Sequence, residues 1–132
     1  MPPRHRLART VTWTRPAVIV ARVLIGALFA AGAVQKAVEP EAAAGLLRGL
    51  GLPGAFVWPA LIYNAAAAAA LFAGWRVVPV ALSLAAYSAL TSLFHLIPDD
   101  PWQMSIFVKN WAIAGGCLAL AVAARQSDTA EA

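Results

Sequence analysis

Residues 104–124 form an apolar run interrupted by a single formal charge, Lys109, which is followed by Asn110. About 20 apolar residues are enough for a helix to cross a bilayer, so this stretch has that length. A lysine within it costs on the order of 2.5–3.5 kcal/mol even on lenient insertion scales. Lys109 is therefore expected to face protein or water, or to reach the interface. Gly115 and Gly116 follow on the same segment, and small residues let a second helix approach closely.

Three more apolar stretches precede it, at about 17–35, 55–75 and 77–96. With 61% hydrophobic and 12% charged residues, the chain is too apolar for a water-soluble domain. It predicts an all-α membrane protein, an antiparallel bundle of four transmembrane helices over residues 17–124. A basic arm, 1–16, precedes the bundle and a polar tail, 125–132, follows it. The arm contains Pro2, Pro3 and Pro16, which argue against one continuous helix from the start, and the tail is expected to be disordered. An arm followed by an apolar core also fits a signal peptide, with Ala31-Gly32-Ala33 as the cleavage site. The length of the stretch and the three spans after it favour retention as a membrane helix.

The net charge of +4 is concentrated in that arm, at Arg4, Arg6, Arg9 and Arg15. With Arg76 and Arg125 these residues place both termini in the cytoplasm. The opposite flank carries Lys36, Arg48 and the acidic residues Glu39, Glu41, Asp99 and Asp100. Without interleaved aromatics or a known motif, the arm does not read as a nucleic-acid site. Residues 42–50 are too short to span and are weakly amphipathic, which predicts a piece lying at the interface. Arg22, inside the first stretch, can snorkel toward the basic flank.

In an up-and-down bundle the outer ends of all four helices converge, each contributing polar groups at about 1.5 Å of depth per residue. Gln35, Lys36 and His95 fall at the rim. Lys109 and Thr91 lie one turn deeper, and Asn64, Tyr63 and Tyr87 deeper still. Ser83, Tyr87, Thr91 and His95 recur every fourth residue, so they share one helix face, expected to point inward with Ser88 and Ser92 beside it. Lys109 is open to two readings: an anchor for a quinone carbonyl or anionic head group, or a structural hub bonded to Asn64, Thr91 or a backbone carbonyl, or paired with Asp99 or Asp100. His95, whose ordinary pKa is about 6.5, suits either a proton shuttle or a plain interfacial position. The hydroxyl stripe suits interhelical bonding or a substrate path. No set of histidines at ligand spacing, no catalytic triad and no phosphate-binding loop is present, so metal, hydrolytic and nucleotide chemistry have no support in the sequence. Cys117 is the single cysteine and reads as a small buried thiol.

Arg22-Val23-Leu24-Ile25-Gly26, Gly32, Gln35-Lys36, Pro40, Gly51-Leu52-Pro53 and Phe107-Val108-Lys109-Asn110 with Gly115-Gly116 resemble the DoxX family of small four-helix membrane proteins over most of residues 17–124. The resemblance implies a bacterial inner-membrane protein linked to redox chemistry, because relatives include a membrane subunit of thiosulfate:quinone oxidoreductase and proteins of oxidative-stress complexes. Family members often carry a glutamate in the second helix where this chain has Asn64, a carboxamide that does not exchange protons. The expected ligand-binding residues are Lys109, Asn110, Asn64, Tyr87, Thr91, His95, Gln35 and Lys36. No covalently bound cofactor and no metal are expected. The resemblance implies a quinone as the expected ligand, the lipid bilayer as the surroundings and a redox protein as the expected partner, because a chain with no redox motif needs one that carries the cofactor. Oligomerisation is left open. The other class is a non-catalytic scaffold that recruits or stabilises a partner; a small-molecule carrier is disfavoured by the lack of an internal repeat.

Overall fold

The computed structural model describes the backbone of residues 5–132 and the side chains of residues 14–132. Pro2, Pro3 and Arg4 lie outside the described residues, as do the side chains of His5, Arg6 and Arg9. Five α-helices follow one another: α1 (His5–Val38), α2 (Pro40–Gly49), α3 (Val57–Ala73), α4 (Val77–Ser92) and α5 (Pro101–Glu131). The 3-10 turns Gly54–Phe56 and Leu93–His95 sit at the start of α3 and the end of α4. Four stretches, Thr14–Val38, Gly54–Ala73, Val77–His95 and Pro101–Glu131, are long and apolar enough to cross a membrane. The chain is thus an all-α, multi-pass membrane bundle.

Each boundary has a local cause. Pro40 has no N–H with which to continue α1, and it opens α2 instead. Helix α2 ends when Gly51 turns left-handed (φ 73°) and the Leu52 N–H donates to the Leu47 carbonyl at 3.0 Å, a Schellman closure. The same device ends α3: Gly74 has φ 71° and the Trp75 N–H donates to the Ala70 carbonyl at 2.9 Å. Asp100 caps α5, its Oδ1 accepting from the Trp102 and Gln103 amides at 3.0 and 3.2 Å, with Pro101 in the first helical position.

Two packed pairs make the bundle, α1 on α3 and α4 on α5; α1 also packs on α5, whereas α3 and α4 adjoin more sparsely. Leu71 of α3, Leu84 of α4 and Cys117 of α5 are completely buried at the centre, and Phe29 of α1 joins their cluster. Much of the remaining core is alanine, including Ala67, Ala68, Ala81, Ala85, Ala121 and Ala124, which keeps the helices close. In the alanine run of α3, Ala67, Ala68 and Ala70 face this core. Large apolar side chains such as Val20, Leu24, Ile62, Leu90, Leu118 and Val122 point outward and form the lipid-facing surface.

Two expectations are overturned. The arm does not break at Pro16, which lies inside α1; a proline leaves only one carbonyl of the preceding turn unpaired, and the helix continues on both sides of it. The tail is not disordered: α5 runs on to Glu131. Extending an existing helix needs no new nucleus, and the Glu131 carboxylate meets Arg15 of α1 at 3.0 Å. That ion pair also puts the start of the first span and the end of the last at one end of the bundle. At the other end, α2 touches α1, both 3-10 turns and the start of α3, burying Ala44 and Leu47 and leaving its Arg48–Glu41 pair (2.8 Å) exposed.

A polar cluster between α1, α3 and α4

Asn64 is the most buried polar group on α3, only 3% exposed. It lies about 10 Å along the helix from its start at the α2-covered end. Its Oδ1 has no hydrogen-bond partner among the described residues. An orphaned buried carbonyl costs roughly 1–3 kcal/mol; Arg22 Nε is the other buried side-chain atom without a partner among the described residues. The carboxamide fits there because α1 presents Gly32: a Cβ at that position would lie 3.1 Å from Asn64 Nδ2 and 3.8 Å from Lys36 Nζ.

Lys36, half-buried, bends back along its own helix and donates to the Gly32 carbonyl at 3.3 Å. Side chains on a helix lean toward its N-terminus, so this ammonium points into the bundle. Its single contact leaves further N–H donors for another acceptor. From α4, the Tyr87 hydroxyl comes beside the Asn64 side chain. Its ring lies tilted by 46° against Tyr63, centroids 4.8 Å apart, and meets Phe29 edge-on at 6.2 Å. Tyr63 is fixed in turn by a 2.7 Å hydrogen bond to Ser83. The result is a buried polar cluster of a cationic donor, a carbonyl without a partner among the described residues and a phenol, bordered by the rings of Phe29 and Tyr63 and by the bare Cα of Gly32.

The structure brings together Lys36, Asn64 and Tyr87 from the expected set and leaves the others apart. Lys109 is exposed on α5 and holds no hydrogen bond or ion pair among the described residues. It is therefore not a hub bonded to Asn64 or Thr91. Nor is it paired with Asp100, whose carboxylate caps the helix, or with Asp99. Asn110, one residue on, is half-buried, and Gln35 is exposed.

Thr91 bonds the Tyr87 carbonyl of its own helix at 2.8 Å, and Ser92 bonds that of Ala89 at 2.6 Å. These hydroxyls are satisfied within α4 and do not line a path. Ser83 is exposed, so the expected inward stripe is limited to its central residues, with Ser88 and Ser92 as its buried flank. His95 sits at the rim, its Nδ1 2.6 Å from Gln103 Oε1. Since that oxygen only accepts, Nδ1 carries the hydrogen.

Phe29 and Gln103 were not singled out in the sequence, and Gly32 was named only within the family-like pattern and a cleavage-site reading, although it lies one turn before Lys36 on the same face. Gln103 occupies the third helical position after the capping Asp100, where a side chain reaches back toward the rim. Among the described residues no three His, Cys, Asp or Glu side chains cluster as metal ligands. No protein-family model, curated protein or solved structure matches the chain.

Proposed function

We propose that this chain is a membrane subunit of a quinone-linked redox complex, in which the cluster of Lys36, Asn64 and Tyr87 holds the quinone head group. The observation that carries the reading is the Asn64 Oδ1, buried and without a donor, next to an ammonium with donors to spare. In the quinol form one hydroxyl oxygen accepts from Lys36 while the other hydroxyl donates to Asn64 Oδ1, so the reduced ring meets both needs; the oxidised ring meets only that of Lys36. Tyr63, Tyr87 and Phe29 pack on one another and supply aromatic surroundings for such a ring. The resemblance to the DoxX family supports the same assignment. It also supports a bacterial inner-membrane location with both termini cytoplasmic, a sidedness that agrees with the excess of Lys and Arg at the termini end. Electrons reach the quinone from a partner protein that carries the redox cofactor.

The test is purification in mild detergent followed by organic extraction and mass spectrometry for quinone, on wild type, Lys36→Met and Asn64→Leu. Near-equimolar quinone in wild type and its loss from both folded variants is the expected result. A wild-type preparation with no quinone, whose tryptophan fluorescence is not quenched by an added short-chain quinone, overturns the reading.

A further inference from the structure

The outward face of α5 carries two features that the cluster does not use. Lys109 projects from the surface within an apolar span, with no partner among the described residues. On the same face, after Ala112, Gly115 and Gly116 are exposed, and a Cβ on either would meet nothing within 4 Å. Residues 109, 112 and 116 follow the helical three- and four-residue spacing, so charge and bare backbone form one continuous strip.

We propose that this strip docks a transmembrane helix of a different protein, one that brings a carboxylate to the depth of Lys109 and crosses α5 closely at Gly115 and Gly116. The charge decides the chemistry of the occupant. Lys109 lies eight residues into α5, about 12 Å from its start, and an ammonium at that position calls for an anion or a strong acceptor. A second copy of this chain does not supply one. Its six acidic residues are Glu39, Glu41, Asp99, Asp100, Asp128 and Glu131, all at helix ends or in connections. A parallel two-fold pair through this strip would instead set Lys109 against Lys109. The glycines decide the kind of occupant. A lipid phosphate would satisfy Lys109 at the rim but has no use for bare backbone deeper in the membrane, whereas a helix gains van der Waals contact there. The strip is separate from the Lys36–Asn64 cluster, so the proposal stands or falls independently of the quinone reading.

The test uses the full chain in phosphatidylcholine vesicles and a synthetic Leu/Ala helix of about 23 residues. The helix carries Glu at the matching depth, with Gln and Leu versions as controls, and association is read by energy transfer. Binding of the Glu helix at least about tenfold tighter than the Leu helix is expected. That preference should disappear in Lys109→Met, and all three helices should bind more weakly to Gly116→Leu and to Ala112→Leu. Equal binding of the Glu and Leu helices overturns the proposal. So does self-association of wild type that Gly116→Leu abolishes, which assigns the strip to a second copy. Loss of the Glu preference when phosphatidylglycerol is added, with Lys109-dependent retention of that lipid, assigns Lys109 to a head group and overturns it as well.

Discussion

The Asn64 carboxamide rests against the bare Cα of Gly32, where a Cβ would come within 3.1 Å of its Nδ2. That spacing is tighter than ordinary van der Waals contact, so the glycine on α1 and the asparagine on α3 are matched in size. Gly32→Ala should push the carboxamide aside and displace its neighbour Tyr87. Overpacking of this kind costs roughly 1–3 kcal/mol. The expected outcome is a modest fall in detergent melting temperature together with weaker retention of quinone. Unchanged retention would show that the carboxamide position does not matter to the ligand.

Replacing Asn64 itself separates stability from binding. Its Oδ1 has no partner among the described residues, and an orphaned buried acceptor destabilises by about 1–3 kcal/mol. Leucine has nearly the same shape and no such demand. Asn64→Leu should therefore melt at the same temperature as wild type or higher, while losing bound quinone. A large drop in melting temperature would identify Asn64 as an interhelical strut held by Tyr87.

Much of the fold was legible because apolar length and proline and glycine punctuation act locally. The four spans, the short helix after Pro40 and the turn at Asp100 are all set within a few residues. The site was legible only in part, because which face of a helix looks inward depends on its neighbours. Asn64 and Tyr87 were picked out as polar groups in apolar runs and Lys36 as a rim residue, and the three lie close together. Lys109 was picked out by the same logic and faces away, because nothing in the sequence of α5 distinguishes a charge turned toward the bundle from one turned toward a partner. The glycines misled for the same reason. A Gly-Gly pair permits close approach, and whether a helix of the same chain takes up that space is decided by the packing of α1 and α4.

Gly74 and Arg22 offer a test of the termini end. Gly74 holds φ 71°, and a Cβ there would fall 2.5 Å from Arg22 Nη1. The guanidinium thus lies over the C-terminus of α3, where a cation complements the helix dipole. Gly74→Ala carries two penalties, about 1–2 kcal/mol for a left-handed non-glycine residue and the displacement of Arg22. Thermal melts of Gly74→Ala, Arg22→Ala and the double variant form a cycle. The double variant should be less destabilised than the sum of the singles, because the steric part of the glycine penalty vanishes once Arg22 is truncated. Strict additivity would mean that Arg22 moves away at no cost.

Gly26 and Gly116 should respond in opposite ways to the same substitution. Gly26 is buried where α1 crosses α3, and a Cβ there would lie 2.8 Å from Phe72 Cε1 and 3.4 Å from Leu71 Cβ. Phe72 is partly exposed and can swing outward, but Leu71 is fully buried in the core. Gly26→Ala should therefore be tolerated with a small loss, whereas Gly26→Leu has to force α1 and α3 apart, at a cost of at least the roughly 1–3 kcal/mol of an overpacked core. A Cβ on Gly116 would meet nothing within 4 Å. Gly116→Leu should leave the melting temperature of the isolated chain in detergent within the error of wild type. Measured side by side, a clear drop for Gly26→Leu and none for Gly116→Leu is the expected pattern. A drop for Gly116→Leu in a preparation shown to be monomeric would mean that α5 turns its glycines toward the bundle.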